Sequence, residues 1–131
     1  MPRNISFSMT TPQFLDGSKD VTQRMGWQNL KAGDILQAVE KAMGLKKGES
    51  VKVLGMIRVQ DVRREALRRM IDDREYGILE CRREGFPQMT TKGFVEFFCD
   101  GHKGCIPGSI VTRIEFDRIH ASVSSSSGSD K

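Results

Sequence analysis

The stretch GSKDVTQR, residues 17–24, groups reactive side chains around a single turn. It combines the conformational freedom of Gly17 with two cations, Lys19 and Arg24, and with the hydroxyl group of Thr22. Two neighbouring cations can hold a phosphate, and a lysine beside a threonine can activate the hydroxyl as a nucleophile. Lysine and threonine are also common in ordinary surface turns. The stretch alone is therefore compatible with a functional turn and with a surface turn.

Short strands and helices are predicted on both sides of this stretch. Residues 5–8 alternate apolar and polar side chains as a strand does, and Thr11 and Pro12 begin a short helix that ends at Gly17. The apolar spacing over residues 35–43 fits a helix and a buried strand equally well, whereas residues 51–62 predict a long strand. Residues 44–50 contain two glycines and two lysines and are expected to form an exposed loop.

The second half of the chain predicts a basic helix, a core helix and a closing strand. Residues 62–71, capped by Asp61, form the basic helix, and an irregular stretch follows as far as Tyr76. The core helix begins at Thr90 and ends before Gly101. Its buried side chains are expected to be Phe94, Val95, Phe97 and Phe98. The closing strand, Ile110–Ile119, has Thr112, Ile114 and Phe116 on one face and Arg113, Glu115 and Asp117 on the other.

Length and composition predict one globular domain over residues 1–121. The chain has 131 residues, of which 37% are hydrophobic, and these occur in patterned blocks. Residues 122–131, rich in serine, are expected to form a disordered tail. No apolar run is long enough to span a bilayer, and the first residues do not resemble a secretory signal. We therefore expect a cytoplasmic protein without a membrane partner, whose three cysteines are reduced.

The distribution of charge favours an anionic partner. The formal net charge is +4, and arginine binds phosphate through two parallel hydrogen bonds. One segment carries seven arginines, namely Arg63, Arg64, Arg68, Arg69, Arg74, Arg82 and Arg83. The same segment carries the acidic residues Glu65, Asp72, Asp73 and Glu75. The arginines could therefore bind RNA or a nucleotide, or form a solvated face paired with these carboxylates.

Four segments together resemble one known family. Residues 17–24 resemble the G-x-K-x-x-T-x-R signature of ASCH domains, which belong to the PUA-like superfamily. Further similar segments are LKAGD at 30–34, EGFP at 84–87 and VTRIEF at 111–116. The resemblance implies an α+β fold, a small PUA-like β-barrel with flanking helices, in which residues 35–41 form a strand. It also implies that the signature turn lies at the mouth of a cleft.

The resemblance implies two kinds of activity. Related PUA-like modules bind RNA or modified bases, whereas some ASCH proteins are N4-acetylcytidine amidohydrolases and others ribonucleases. The lysine, threonine and glutamate of those hydrolases match Lys19, Thr22 and Glu84 here. Asp20 stands where they have threonine, and a carboxylate beside Lys19 would hold it charged and make it a poorer base. Glu84 could instead belong to a turn shaped by Gly85 and Pro87.

Three functions remain open from the sequence: a binding module for RNA or a modified nucleotide, a hydrolase, and a protein-interaction domain. The residues expected to contact a ligand are Gly17, Ser18, Arg24 and Trp27. Trp27 either stacks on a base or packs in the core. Neither a metal nor a cofactor is expected, although Cys81, Cys99, His102 and Cys105 offer the ligand types of a zinc site. The sequence does not determine the oligomeric state.

Overall fold

A computed structural model describes residues 3–41, 48 and 50–119. The strands are β1 Arg3–Ser6, β2 Val21–Arg24, β3 Ile35–Val39, β4 Val53–Ala66 and β5 Ile110–Ile119. The helices are α1 Thr11–Asp16, α2 Arg69–Asp72, α3 Arg74–Glu84 and α4 Thr91–Asp100. The serine-rich tail and most of the loop expected at 44–50 lie outside the described residues. None of the helices in the described ranges is long and apolar enough to cross a membrane.

The five strands form one mixed sheet in the order β1-β3-β4-β5-β2. Only β1 and β3 run parallel, and the other neighbouring pairs are antiparallel. The long β4–β5 ladder runs from Met56 opposite Ile119 to Ala66 opposite Ile110, with a bulge between Val59 and Asp61. Bulges bend a strand and increase its twist, and this sheet curves into a half-barrel. The expected α+β class is therefore confirmed, and so is a sheet that is barrel-like in its curvature.

Two hydrophobic clusters hold the fold together. The first fills the sheet beneath α1 and contains Ile5, Phe7, Phe14, Leu30, Leu36, Ala38, Ile57, Val59, Ile114 and Phe116. The second joins the helices to the ends of β4 and β5 and contains Leu67, Met70, Cys81, Phe94, Val95, Phe98 and Val111. Helix α4 therefore buries three of its four expected side chains, and Phe97 is half-buried.

The predicted boundaries of helices α1 and α4 are confirmed. Helix α1 ends at Gly17, whose φ of 83° is a left-handed conformation that glycine adopts without strain. Helix α4 is capped by Thr90, whose hydroxyl accepts a hydrogen bond from the Gly93 N–H at 2.9 Å. The family resemblance implied a strand over residues 35–41, and the structure has a strand over the first five of them, Ile35–Val39.

The predicted basic helix over 62–71 is wrong. Residues 62–66 continue β4 and pair with β5, and only the short α2 overlaps the predicted helix, at residues 69–71. Asp61 lies next to the bulge in β4, so it does not cap a helix. The apolar spacing fits a helix, but hydrogen bonds to a strand almost fifty residues away prevail, and a local pattern does not reveal that partner.

The irregular stretch predicted around Tyr76 is also wrong, because it forms α3. The buried positions of α3 are Gly77, Glu80, Cys81 and Glu84, which have the spacing of one helix face. That face carries two carboxylates and one glycine, while Ile78 and Leu79 are exposed. Gly77 is required by a close approach, since a Cβ there would lie 1.9 Å from the Met70 carbonyl oxygen.

Candidate functional site

The described residues line an open cavity of about 590 Å³ where β2, the β1–α1 connection and α4 meet. Its charged and hydroxyl lining includes Lys19, Thr22, Arg24 and Glu84. Its aromatic lining includes Phe86, Phe94, Phe97 and Phe98. The last residue of α4 and the loop after it add Asp100, Gly101 and His102. The lysine, threonine and glutamate expected to act in catalysis therefore line one cavity together with Arg24.

Lys19 lies in the turn between α1 and β2 and is only 4% exposed. Its Nζ donates three hydrogen bonds: to Glu84 Oε1 at 2.7 Å, to the Glu84 carbonyl at 2.9 Å and to the Val21 carbonyl at 3.0 Å. These bonds use every proton of an ammonium group. Burial lowers the pKa of Lys19, and the nearby Glu84 carboxylate opposes this effect.

Glu84 is the last residue of α3 and lies on the buried face of that helix. Oε1 accepts from Lys19, and Oε2 accepts from the Gln23 backbone N–H at 2.7 Å. Burial raises the pKa of Glu84, against the charge and hydrogen bond of Lys19. The EGFP segment also contributes to the backbone, because Gly85 caps α3 in a left-handed conformation. Both interpretations of the EGFP segment therefore apply, because Glu84 lines the cavity and Gly85 shapes the turn.

Arg24 and Thr22 project from β2 into the same cavity. Arg24 Nε donates to Thr22 Oγ1 at 2.9 Å, and Nη2 donates to the Ser6 carbonyl at 2.6 Å. Within the described ranges, Nη1 of Arg24 donates to no protein atom. The lysine is thus saturated by internal acceptors, whereas the arginine keeps a donor for a ligand. In the described part of the chain, Lys19 donates no hydrogen bond to Thr22.

The other residues expected to contact a ligand do not line the cavity. Gly17 and Ser18 are exposed at the end of α1, and the Ser18 N–H donates to Asp16 Oδ1 at 2.8 Å. Trp27 packs against the sheet cluster, with the Arg3 guanidinium 4.0 Å from its ring centroid. The structure therefore brings together Lys19, Thr22, Arg24 and Glu84, and leaves Gly17, Ser18 and Trp27 apart from them.

Asp20 is adjacent to Lys19 in the sequence, but it does not have the main effect on the pKa of Lys19. Its two carboxylate oxygens accept from Arg83 Nε and Nη2, each at 2.9 Å. Asp20 contributes least among the charges that act on the pKa of Lys19, and Glu84 contributes most. A residue adjacent in sequence is thus less important here than one 65 positions away.

Sequence reasoning missed a buried polar network behind the cavity. Glu80 accepts from Arg113 through Nε and through Nη2, the second at 3.0 Å, and both side chains are almost fully buried. Gln23 connects this pair to the cavity, because its backbone N–H binds Glu84 while its Nε2 donates to Glu80 Oε1 at 3.3 Å. In the sequence, the only signal of this network is the four-residue spacing of Glu80 and Glu84, which puts both on one face of a helix.

Much of the arginine cluster is paired at the surface. Arg68 binds Asp72 at 2.9 Å, and Arg69 binds Glu65 at 3.0 Å. The Arg69 guanidinium also lies 3.9 Å from the Tyr76 ring centroid. These contacts match the solvated-face alternative, in which acidic partners offset the basic side chains.

The cysteines do not form a metal centre with His102. Among the residues that the structure describes, no group of three or more histidine, cysteine, aspartate or glutamate side chains is arranged to hold a metal ion. Cys81 is buried in the helical cluster, and Cys99 and Cys105 pack at its edge. His102 Nδ1 is hydrogen-bonded to the Phe98 carbonyl at 2.7 Å.

A solved structure shares this fold. The crystal structure of protein EF3133 from Enterococcus faecalis V583, described as DUF984, matches with a TM-score of 0.56 at 15% sequence identity. The match covers 91% of this chain and 80% of that chain. No family model and no curated protein matches the sequence. At this identity the likeness shows the fold alone.

Proposed function

We propose that this protein binds a nucleoside or nucleotide, free or within RNA, in the cavity described above. The observation that carries the proposal is the lining, which combines five phenylalanines, Phe7 among them, with the hydroxyl of Thr22 and the guanidinium of Arg24. Small-molecule sites have volumes of about 300–1,000 Å³ and a few polar groups among apolar walls. Aromatic side chains stack on bases, and a free guanidinium donor suits a phosphate or a carbonyl oxygen.

We further propose that the chain is an ASCH-type, PUA-like domain. Three signature positions, Lys19, Thr22 and Arg24, share one cavity, and the curved sheet agrees with a small barrel. The proposed site is not strongly basic, because Lys19 is paired with Glu84 and the lining also includes Asp100. Stacking and hydrogen bonds should therefore provide most of the affinity, and Arg24 the main contact to phosphate.

Calorimetric titration with cytidine, N4-acetylcytidine, cytidine monophosphate and a short single-stranded RNA tests this proposal. Arg24→Ala should weaken binding at least about tenfold, since a hydrogen bond to a charged group contributes about 1.5–3 kcal/mol. If Arg24 contacts one phosphate, the affinity for the single-stranded RNA should fall with salt with a logarithmic slope of about −0.7. The affinity of Arg24→Ala should not show this dependence on salt.

Arg68→Ala is the matched control, because Arg68 is exposed, paired with Asp72 and outside the cavity. It should bind every ligand as the parent does. Phe97→Leu tests the aromatic lining independently and should also weaken binding. If the parent binds none of these ligands, or if only Arg68→Ala loses affinity, the cavity is not the site.

A hydrolase is a second candidate, favoured by the buried Lys19–Glu84 pair. Burial shifts the pKa of both groups toward their uncharged forms, so a proton can pass from Lys19 Nζ to Glu84 Oε1 across 2.7 Å. Neutral Lys19 could then accept the Thr22 proton, and the Arg24 Nε–H would stabilise the resulting oxyanion. The Thr22 oxygen would attack the acetyl carbonyl carbon, and the C–N bond would break as the protonated Glu84 donates its proton to the leaving amine. A water molecule would then hydrolyse the acetyl ester on Thr22 and release acetate.

Chromatography of N4-acetylcytidine and of RNA after incubation with the protein tests the hydrolase. Thr22→Val keeps the side-chain volume and removes the hydroxyl, so turnover should fall by a factor on the order of a thousand or more. Binding should change far less. If the parent protein binds N4-acetylcytidine without releasing acetate and leaves RNA intact, the hydrolase proposal is wrong. Only the binding function then remains.

A further inference from the structure

Two thiols lie close together beside the cavity. Cys99 is the second-last residue of α4, Cys105 follows in the next loop, and their Sγ atoms are 3.3 Å apart. Both are free thiols. A disulfide requires an S–S distance of about 2.05 Å, so an approach of little more than about 1 Å would join them.

The chain between the two thiols is shaped for this approach. The Cys105 N–H donates to the His102 carbonyl at 3.0 Å, and the His102 N–H donates to the Cys99 carbonyl at 3.2 Å. These bonds fold the loop back on the end of α4. Gly101 and Gly104 are exposed, and no atom lies within 4 Å of a Cβ built at Gly104. The loop can therefore adjust without a steric clash at this position.

The same loop forms part of the cavity wall. Asp100, Gly101 and His102 line the cavity, whereas neither Cys99 nor Cys105 does. The His102 ring stacks on Phe98 at a centroid distance of 4.2 Å, which connects the loop to the aromatic lining. A covalent bond between the two cysteines would close a ring around these three lining residues.

We propose that Cys99 and Cys105 form a reversible intramolecular disulfide on oxidation by a peroxide, and that this bond restrains the cavity wall at residues 100–102. One thiolate attacks a peroxide oxygen, the O–O bond breaks, and the sulfur becomes a sulfenic acid. The departing hydroxide takes up the proton that the thiol had released and becomes water. The second sulfur attacks this sulfenic sulfur, and a second molecule of water leaves. Two thiols and one hydrogen peroxide thus give one disulfide and two waters.

The environment of the thiols separates Cys81 from the pair that reacts. Burial raises the pKa of Cys81 to about 11, and Cys81 lies within the helical cluster. Cys81 should therefore react slowly and not compete.

Mass spectrometry of the full-length chain after treatment with hydrogen peroxide tests the disulfide. The monomer should lose about 2 Da, and its titratable thiols under denaturing conditions should fall from three to one. Dithiothreitol should reverse both changes. Peptide mapping should join Cys99 to Cys105. Hydrogen exchange of amides 100–105 should be slower in the oxidised protein than in the reduced protein.

Three single variants make the test specific. Cys81→Ala should behave as the parent does, whereas Cys99→Ser and Cys105→Ser should not lose mass and should instead gain oxygen. The proposal is overturned if the oxidised parent keeps three thiols, pairs Cys81, or forms only intermolecular bonds. It is also overturned if the disulfide forms but exchange at residues 100–105 is unchanged.

Discussion

Replacing Arg113 with methionine is expected to destabilise the protein by about 3–5 kcal/mol, because it leaves a buried carboxylate without its partner. Glu80 is 1% exposed and Arg113 is 3% exposed. Arg113 binds Glu80 through two nitrogens, so the variant removes both charge-assisted hydrogen bonds at once. Among the described residues, Glu80 would keep only the donors of Gln23 and Tyr76. Urea denaturation measures the loss of stability directly.

Arg58→Met is the matched control on the neighbouring strand β4. Arg58 is exposed, and a surface substitution of this kind usually changes the stability by no more than about 0.5 kcal/mol. Adding Glu80→Gln to Arg113→Met should recover part of the loss, because the double variant buries no unpaired charge. A loss below about 1 kcal/mol for Arg113→Met would show that the buried pair is not needed for stability.

Replacing Glu84 with glutamine should have an effect of similar size at neutral pH, about 3–5 kcal/mol, because Lys19 would lose its charge partner. The amide oxygen can still accept a hydrogen bond from Nζ but carries no charge to offset that of a buried ammonium. Lys19→Met/Glu84→Gln removes both charges and should be more stable than Glu84→Gln alone. Urea denaturation of the parent and the two variants gives the comparison.

The pH dependence of Glu84→Gln follows from the direction of the Lys19 shift. Burial already lowers the folded-state pKa of Lys19 from its ordinary value of 10.5, and loss of the carboxylate lowers it further. Between the lowered pKa and 10.5 the unfolded chain binds more protons than the folded chain. The stability of Glu84→Gln should therefore rise with pH across this window and level off above it.

The double variant is the reference for this measurement, since it lacks Lys19 but keeps every other titrating group. Its stability should show no such rise, so the difference between the two variants reports on Lys19 alone. If the stabilities of the two variants change with pH in the same way, the pKa of Lys19 is the same in the folded and the unfolded chain. Lys19 is then not buried in the absence of Glu84.

The sequence determined those parts of the fold that depend on neighbouring residues. The ends of α1 and α4 follow from Gly17 and Thr90, because a left-handed residue and a side-chain cap act within one turn. The alternation in Ile110–Ile119 predicted β5. The cluster in residues 17–24 predicted three cavity residues, Lys19, Thr22 and Arg24, since their side chains follow one another along β2 and the turn before it.

The family resemblance also predicted Glu84 as a site residue, but the polar network behind the cavity depends on contacts between distant segments of the chain. The alternation in β5 placed Arg113 on the charged face of the strand, yet its side chain is buried against Glu80, which lies on a helix that the apolar pattern did not reveal. Glu80 and Glu84 occupy the buried face of α3 because Arg113, Lys19 and Gln23 provide their hydrogen bonds. A buried carboxylate is stable only with such partners, and these lie about 30 to 65 residues away in sequence. Local patterns record hydrophobicity and turn preferences, whereas the burial of a charge is decided by partners that only the folded chain brings together.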